Sequence, residues 1–179
     1  DNTEATVEAT VDRLNADLLD IRQILNGANY NVVQQFDISS REFSEQFSLL
    51  YETNSDKIQS VALYDQKGNL IASEPVAAEK KNVRVQTQEW FKNAEDVIEN
   101  IHFSTPHIQE LFEDGSYRYQ WVVSLSRYVD VNKGEIPETG ILLLDMKYSV
   151  IRDVMKQIND CSGGIYYYLI SQDGEMIYH

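Results

Sequence analysis

One cysteine, Cys161, stands in 179 residues, which excludes an internal disulfide framework and any multi-cysteine metal site. Histidine is nearly as scarce. His102, His107 and His179 lack the i, i+4 pairing of a zinc helix, and Pro106 falls between the first two, so no metal centre is expected. No run approaches the roughly 18 apolar residues of a membrane span, and no signal-peptide pattern opens the chain. A Gly-rich phosphate loop and a Gly-x-Ser-x-Gly elbow are also missing, and the paired carboxylates Glu113 and Asp114 sit in a turn, where solvation accounts for them. No catalytic constellation and no cofactor follow from these residues. Basic side chains are outnumbered 29 to 15, giving a net charge of −14 and a pI near 4.5. Nucleic acid and anionic membrane surfaces would repel such a chain, whose charge otherwise serves solubility.

What is present begins with 42% apolar residues, enough for the core of one ordinary domain plus extra pieces. A pattern occurs twice. Residues 61–73 read VALYDQKGNLIAS and residues 167–179, 106 positions later, read YYLISQDGEMIYH. Without gaps, Leu63 falls on Leu169, Gln66 on Gln172, Gly68 on Gly174 and Ile71 on Ile177. Each copy reads as a hairpin with one Gly in a polar turn. The spacing suits repetition of a whole small domain better than a solenoid. Because the second copy has barely begun where the sequence stops, the chain is expected to be part of something longer.

Val7, Val11, Leu14, Leu18, Ile21 and Leu25 follow a 4, 3, 4, 3, 4 spacing, the seam of a helix that buries one narrow stripe. Gly27 is expected to end it. The stripe can pack on its own domain or on a second copy in a homodimer. Ser39 with Glu42 reads as a capping box opening a second helix, to about Thr53, with Phe43, Phe47 and Leu50 on one face. Lys57 to Ser73 is the first hairpin. After a loop containing Pro75, Thr87 is a plausible cap for a short third helix with Trp90, Ala94 and Val97 on one face.

Strands are then expected at Ile101–Ser104, His107–Phe112 and Tyr117–Tyr128. On the last, Tyr117, Tyr119, Trp121, Val123, Leu125 and Arg127 share one face, and Arg118, Gln120, Val122, Ser124 and Ser126 the other. Asn132-Lys133-Gly134 turns the chain, and Gly140–Met146, apolar on both faces, reads as a central strand covered on both sides. A helix from about Tyr148 to Asn159 buries Ile151, Val154, Met155 and Ile158, and Ser162-Gly163-Gly164 links it to the second hairpin. The order predicts an α+β fold: a long N-terminal helix packed on an antiparallel sheet of five or six strands with flanking helices, then the start of a second similar module.

These residues resemble a known family. The long N-terminal helix, Trp90-Phe91 opening the mid-domain helix, Phe103-Ser104-Thr105-Pro106-His107, and the strand Gly140 to Asp145 followed by a helix and a restarted hairpin are similar to the extracytoplasmic double Cache (PAS-like) sensor domain. Bacterial histidine kinases and chemoreceptors carry that domain. The resemblance implies an N-terminal helical region (1–55), a membrane-distal sensor module (56–160), and a linker with the first hairpin of a membrane-proximal module (161–179). It implies a small-molecule ligand between sheet and mid-domain helix, a fragment with no enzymatic activity, and a membrane-anchored parent at the cell surface, a histidine kinase first and a chemotaxis receptor second. Members that bind amino acids carry Arg-x-Trp-Tyr at the helix start, a Tyr after the Ser-x-Pro element and an Asp ending the last strand. Trp90 and Asp145 match, and the Asp would pair with a ligand amine. Gln88 replaces the Arg, Phe91 the first Tyr and His107 the second, and without the Arg the natural bidentate clamp for a carboxylate is gone. Arg84, Arg118 or Arg127 could supply one from elsewhere. The implied ligand-binding residues are Trp90, Phe91, His107, Tyr119, Arg127 and Asp145. Each has a plainer role open to it: Trp90 as a core aromatic, His107 as an ordinary sheet residue, Asp145 as a carboxylate near a helix N-terminus, the Tyr119 face as packing.

Overall fold

The computed structural model describes residues 2–98, 100–113, 120–161, 167–170 and 176–178. Helix α1 (Asn2–Gly27) continues without a break into a π-helical turn, Ala28–Val33. Gly27 does not stop it. Its φ of −62° is right-handed helical, and Ala28, Val32 and Val33 beyond it are buried, so packing carries the helix through a residue that usually ends one. The seam is spent on the domain itself: Leu14, Ile21 and Leu25 are buried, whereas Val11, nearer the N-terminus, is exposed.

Helix α2 (Arg41–Thr53) is capped one residue later than the sequence suggested. Ser40 Oγ accepts from Phe43 N–H, and Ser39 instead bonds back to Asp37. Phe43 and Phe47 stack at 5.3 Å on the buried side. Strands β1 (Ile58–Asp65) and β2 (Leu70–Glu74) form the first hairpin. Asp65 Oδ1 accepts the N–H groups of Lys67 and Asn69, and Gly68 takes the positive φ of 81° that the turn demands.

Short β3 (Ala78–Glu79) leads to a 3-10 turn and α3 (Glu89–Asp96). Thr87 is not its cap. Its hydroxyl donates to Arg84 O inside the 3-10 turn, and Gln88 occupies the N-cap position. Val97, expected on the buried face, is the exposed C-cap, since the helix ends before completing that turn.

Three two-residue strands follow, β4 (His102–Phe103), β5 (His107–Ile108) and β6 (Phe112–Glu113). Then come β7 (Trp121–Lys133) and β8 (Ile136–Lys147), α4 (Tyr148–Cys161), β9 (Leu169–Ile170) and β10 (Met176–Tyr178). The long strand starts later and runs further than expected; Tyr117 and Tyr119 lie outside the described residues, as does the linker 162–164. It runs on because Asn132 and Lys133 pair with Pro137 and Ile136, which leaves Gly134-Glu135 as the turn.

The six-stranded antiparallel sheet has the order β2-β1-β8-β7-β4, with β5 also on β7, so β8 is the central strand its double-sided apolarity requires. At Gly140 the backbone of β8 lies close against β1. A Cβ there would lie 2.4 Å from Tyr64 O.

Alternation along the strands gives the sheet two unlike faces. Val61, Leu63, Val123, Leu125, Leu142, Leu144 and Met146 join α1, α2 and α4 in the larger core, which Ile177 of β10 also enters. Ala62, Tyr64, Ile141 and Leu143 meet Trp90, Phe91 and Ala94 of α3 in a smaller one.

The two hairpins share a register. Leu63 pairs with Ala72 and Tyr64 with Leu70, and 106 residues on Leu169 pairs with Tyr178 and Ile170 with Met176, each with an irregularity between the two pairs.

Candidate functional site

Between α3 and the sheet lies a cleft of about 530 Å³ walled by Trp90, Asn93, His102, Phe103, His107 and Ser126, among others. Beside it, sharing Gln88, Trp90 and His107, is a recess of about 30 Å³ that reaches Ser124 and Asp145 and is bounded by Gln109, Glu110 and Leu111. The recess has room for one water-sized group. Its roof is held by Gln109, whose Oε1 accepts the N–H groups of Leu111 and Phe112 and whose Nε2 donates to Phe112 O. Ser126 Oγ donates to Trp90 O at 2.8 Å and ties the α3 start to β7.

Asp145 is 3% exposed. Ser124 Oγ donates to its Oδ1, and a Ser60 hydroxyl bond also reaches the carboxyl. Burial pushes this carboxyl above the ordinary carboxylate range, while the two serines and the nearby His107 hold it back. His107 Nε2 stands 3.2 Å from Ser124 Oγ, and its Nδ1 stands 2.9 Å from Thr105 O. The three groups form a chain with the hydroxyl in the middle. A hydrolytic triad places the imidazole there to take the hydroxyl proton, so this order does not build a nucleophile. Among the described residues, no group of three His, Cys, Asp or Glu side chains is placed to hold a metal ion. Tyr64, on the same face, is fully buried with its ring 5.5 Å from Trp90, and among the described residues its hydroxyl has no hydrogen-bond partner. Burial raises its pKa, and the charges of Glu79 and Asp145 add to that.

Of the six residues implied from sequence, the fold brings Trp90, His107 and Asp145 together around the recess. Phe91 packs behind Trp90 at 5.7 Å, fully buried in the smaller core. Arg127 stands apart. It lies on the other face of the sheet, its guanidinium donating to Asn26 Oδ1 and Tyr30 Oη and stacked 5.2 Å from the Tyr30 ring. Tyr119 is outside the described residues. Ser124, Ser126, Gln109 and His102 were not singled out beforehand. The signal for the serines was their place on one face of a strand, where small hydroxyl residues alternate with Val123 and Leu125; Gln109 and His102 had none.

No family model matches the chain, and no curated protein matches it in sequence. Solved structures do. The ligand-binding domain of the Pseudomonas aeruginosa amino acid chemoreceptor PctC, in complex with GABA, superposes with a TM-score of 0.67 at 16% identity over 98% of this chain and 73% of that one. The corresponding domain of the Pseudomonas fluorescens chemoreceptor CtaA with L-alanine gives 0.64 at 18% identity over 98% and 69%. That of Pseudomonas aeruginosa PctB with L-Gln gives 0.62 at 17% over 100% and 67%. The chain thus spans about two thirds to three quarters of these domains. The likeness establishes architecture: this chain has the α+β fold of Cache-type sensor domains, as its order of helices and strands had indicated.

Proposed function

We propose that the chain is an extracytoplasmic ligand-sensing domain of a bacterial transmembrane receptor and holds a small molecule between the sheet and α3. One observation carries this: Trp90, His107 and Asp145, distant in sequence, converge on a recess that opens beside a cleft of ligand size. The compared domains are named for chemoreceptors, which favours a chemotaxis receptor as the parent over the histidine kinase first expected. Residues 56–160 serve as the membrane-distal module, and 161–179 open a second. The common register of the two hairpins supports that division. Ligand closure would shift α3 on the sheet, and the packing of α1 and α4 on its other face would carry the displacement onward. A homodimer through α1 would draw on Val11, the seam residue left exposed, because Val7 and the rest of the seam pack against the core.

The test is thermal unfolding of the chain against amino acids, organic acids, amines, purines and sugars. A ligand at about 100 times its Kd should stabilise by about 2.7 kcal/mol, a shift of roughly 5 to 10 °C for a domain of this size. Trp90→Ala and Asp145→Ala should each abolish the shift. No response from a folded sample would favour a dimerising scaffold with a closed pocket.

A further inference from the structure

Two hollows of opposite charge meet at β4. On the α3 side, Glu89 and Asp96 line the cleft, Glu110 and Asp145 line the recess, and among the described residues neither Lys nor Arg lines either one. Between α1, β4 and the β9–β10 hairpin lies a second space, of about 570 Å³. His102 and Phe103 border both.

The second space suits an apolar body with one negative end. Leu18 and Leu19 of α1, Phe103, and Leu169 and Ile177 of the hairpin supply apolar walls. Among the described residues Arg22 is the only Lys or Arg that lines it, and neither Asp nor Glu does. In a chain of net charge −14 such a lining runs against the composition. The acids nearest Arg22 on α1 are engaged elsewhere: Asp20 Oδ2 takes the Lys57 ammonium at 3.0 Å, and the charge of Asp17 acts on the same lysine. Arg22 is left with the Phe103 ring, whose centre lies 5.7 Å from the guanidinium carbon, and with no carboxylate partner among the described residues. A guanidinium stacked on an aromatic face keeps its N–H edge for a second partner, and a carboxylate fits that edge with two parallel bonds. The amides of Asn15 and Asn100 supply further donors.

We propose that this space is a second ligand site, which takes an amphipathic monocarboxylate with its carboxylate on Arg22 and its apolar body against Leu18, Phe103, Leu169 and Ile177. The volume is that of an ordinary small-molecule pocket. Burial of the body supplies affinity, and Arg22 selects the charge. An occupant would bear on α1, β4 and the hairpin together. The site does not depend on the sensor reading of the α3 cleft.

The experiment is calorimetric titration of the whole chain with octanoate and 3-phenylpropanoate, set against 3-phenylpropanamide, which lacks the charge, and propanoate, which lacks the body. At least one of the first two should bind, about tenfold or more tighter than either control. Arg22→Gln should remove the advantage over the amide. Arg22 and Leu19 are exposed, so substitutions there should fold, and circular dichroism checks every variant. Leu19→Asp should weaken binding by placing an acid in the lining. Trp90→Ala, which disables the α3 cleft, should leave carboxylate binding unchanged. No binding of either acid, an amide that binds as well as its acid, or an affinity that survives Arg22→Gln overturns the inference. Binding lost in Trp90→Ala and kept in Arg22→Gln does the same and assigns the acid to the α3 cleft. The sensor reading is judged separately, by the ligands whose effect Trp90→Ala and Asp145→Ala abolish.

Discussion

The two faces of the central sheet come from the same strands and do opposite work. Leu144 and Asp145 are neighbours on β8, both almost fully buried, yet one packs under α1 and α4 and the other closes a polar recess under α3. The face under α1, α2 and α4 is lined mainly by aliphatic side chains, with Arg127 the polar exception, and full burial of each aliphatic side chain contributes about 1.5 to 3 kcal/mol. The α3 face carries the buried Asp145 and a Tyr64 hydroxyl that has no hydrogen-bond partner among the described residues, both beside open volume and unfavourable for folding, along with the bonded hydroxyls of Ser124 and Ser126. A domain stabilised on one side can keep the other unfavourable, and binding needs that other side.

Substitutions can break this contrast. The largest loss should come from the aliphatic face, where Leu144→Ala should cost about 2 to 5 kcal/mol in urea unfolding while leaving the ligand response of the folded fraction intact. A cost below about 1 kcal/mol would show that this face does not carry the stability. Ser126→Ala, which frees the α3 start from β7, should cost about 1 kcal/mol and weaken ligand response more than that loss predicts. Equal stability and an equal response would mean that the bond positions nothing.

Asp145→Asn sharpens the comparison through its sign. A carboxyl that holds its proton more tightly in the folded state contributes stability that is present below its unfolded value and is lost as pH rises through the folded one. At neutral pH the variant should therefore be at least as stable as the parent, and the parent should gain on it as pH falls toward about 4. A parent that loses ground on acidification would reverse the assignment.

Much of the architecture was legible because it depends on local pattern. The double-sided apolar run at Gly140–Met146 could only be central, and Ile151, Val154, Met155 and Ile158 lie buried along α4 as their spacing required. Boundaries were less legible. Gly27 looked like a stop, and Ser39 like a cap rather than Ser40, because tertiary packing overrides propensities worth about 1 kcal/mol. Trp90, His107 and Asp145 were legible only through family likeness. Nothing local distinguishes His107 from an ordinary strand residue.

The sequence by itself determined which residues alternate on each strand, and so which could share a face, since a period of two leaves no choice. It determined the hairpin repeat as well, now seen as a common register. Which face each helix would cover was decided by tertiary structure. That choice put Arg127 against Asn26 and Tyr30 and gathered Ser124, His107 and Asp145 beneath α3. Sheet order is set by contacts between residues far apart in the chain, and their energies depend on the partner each strand finds.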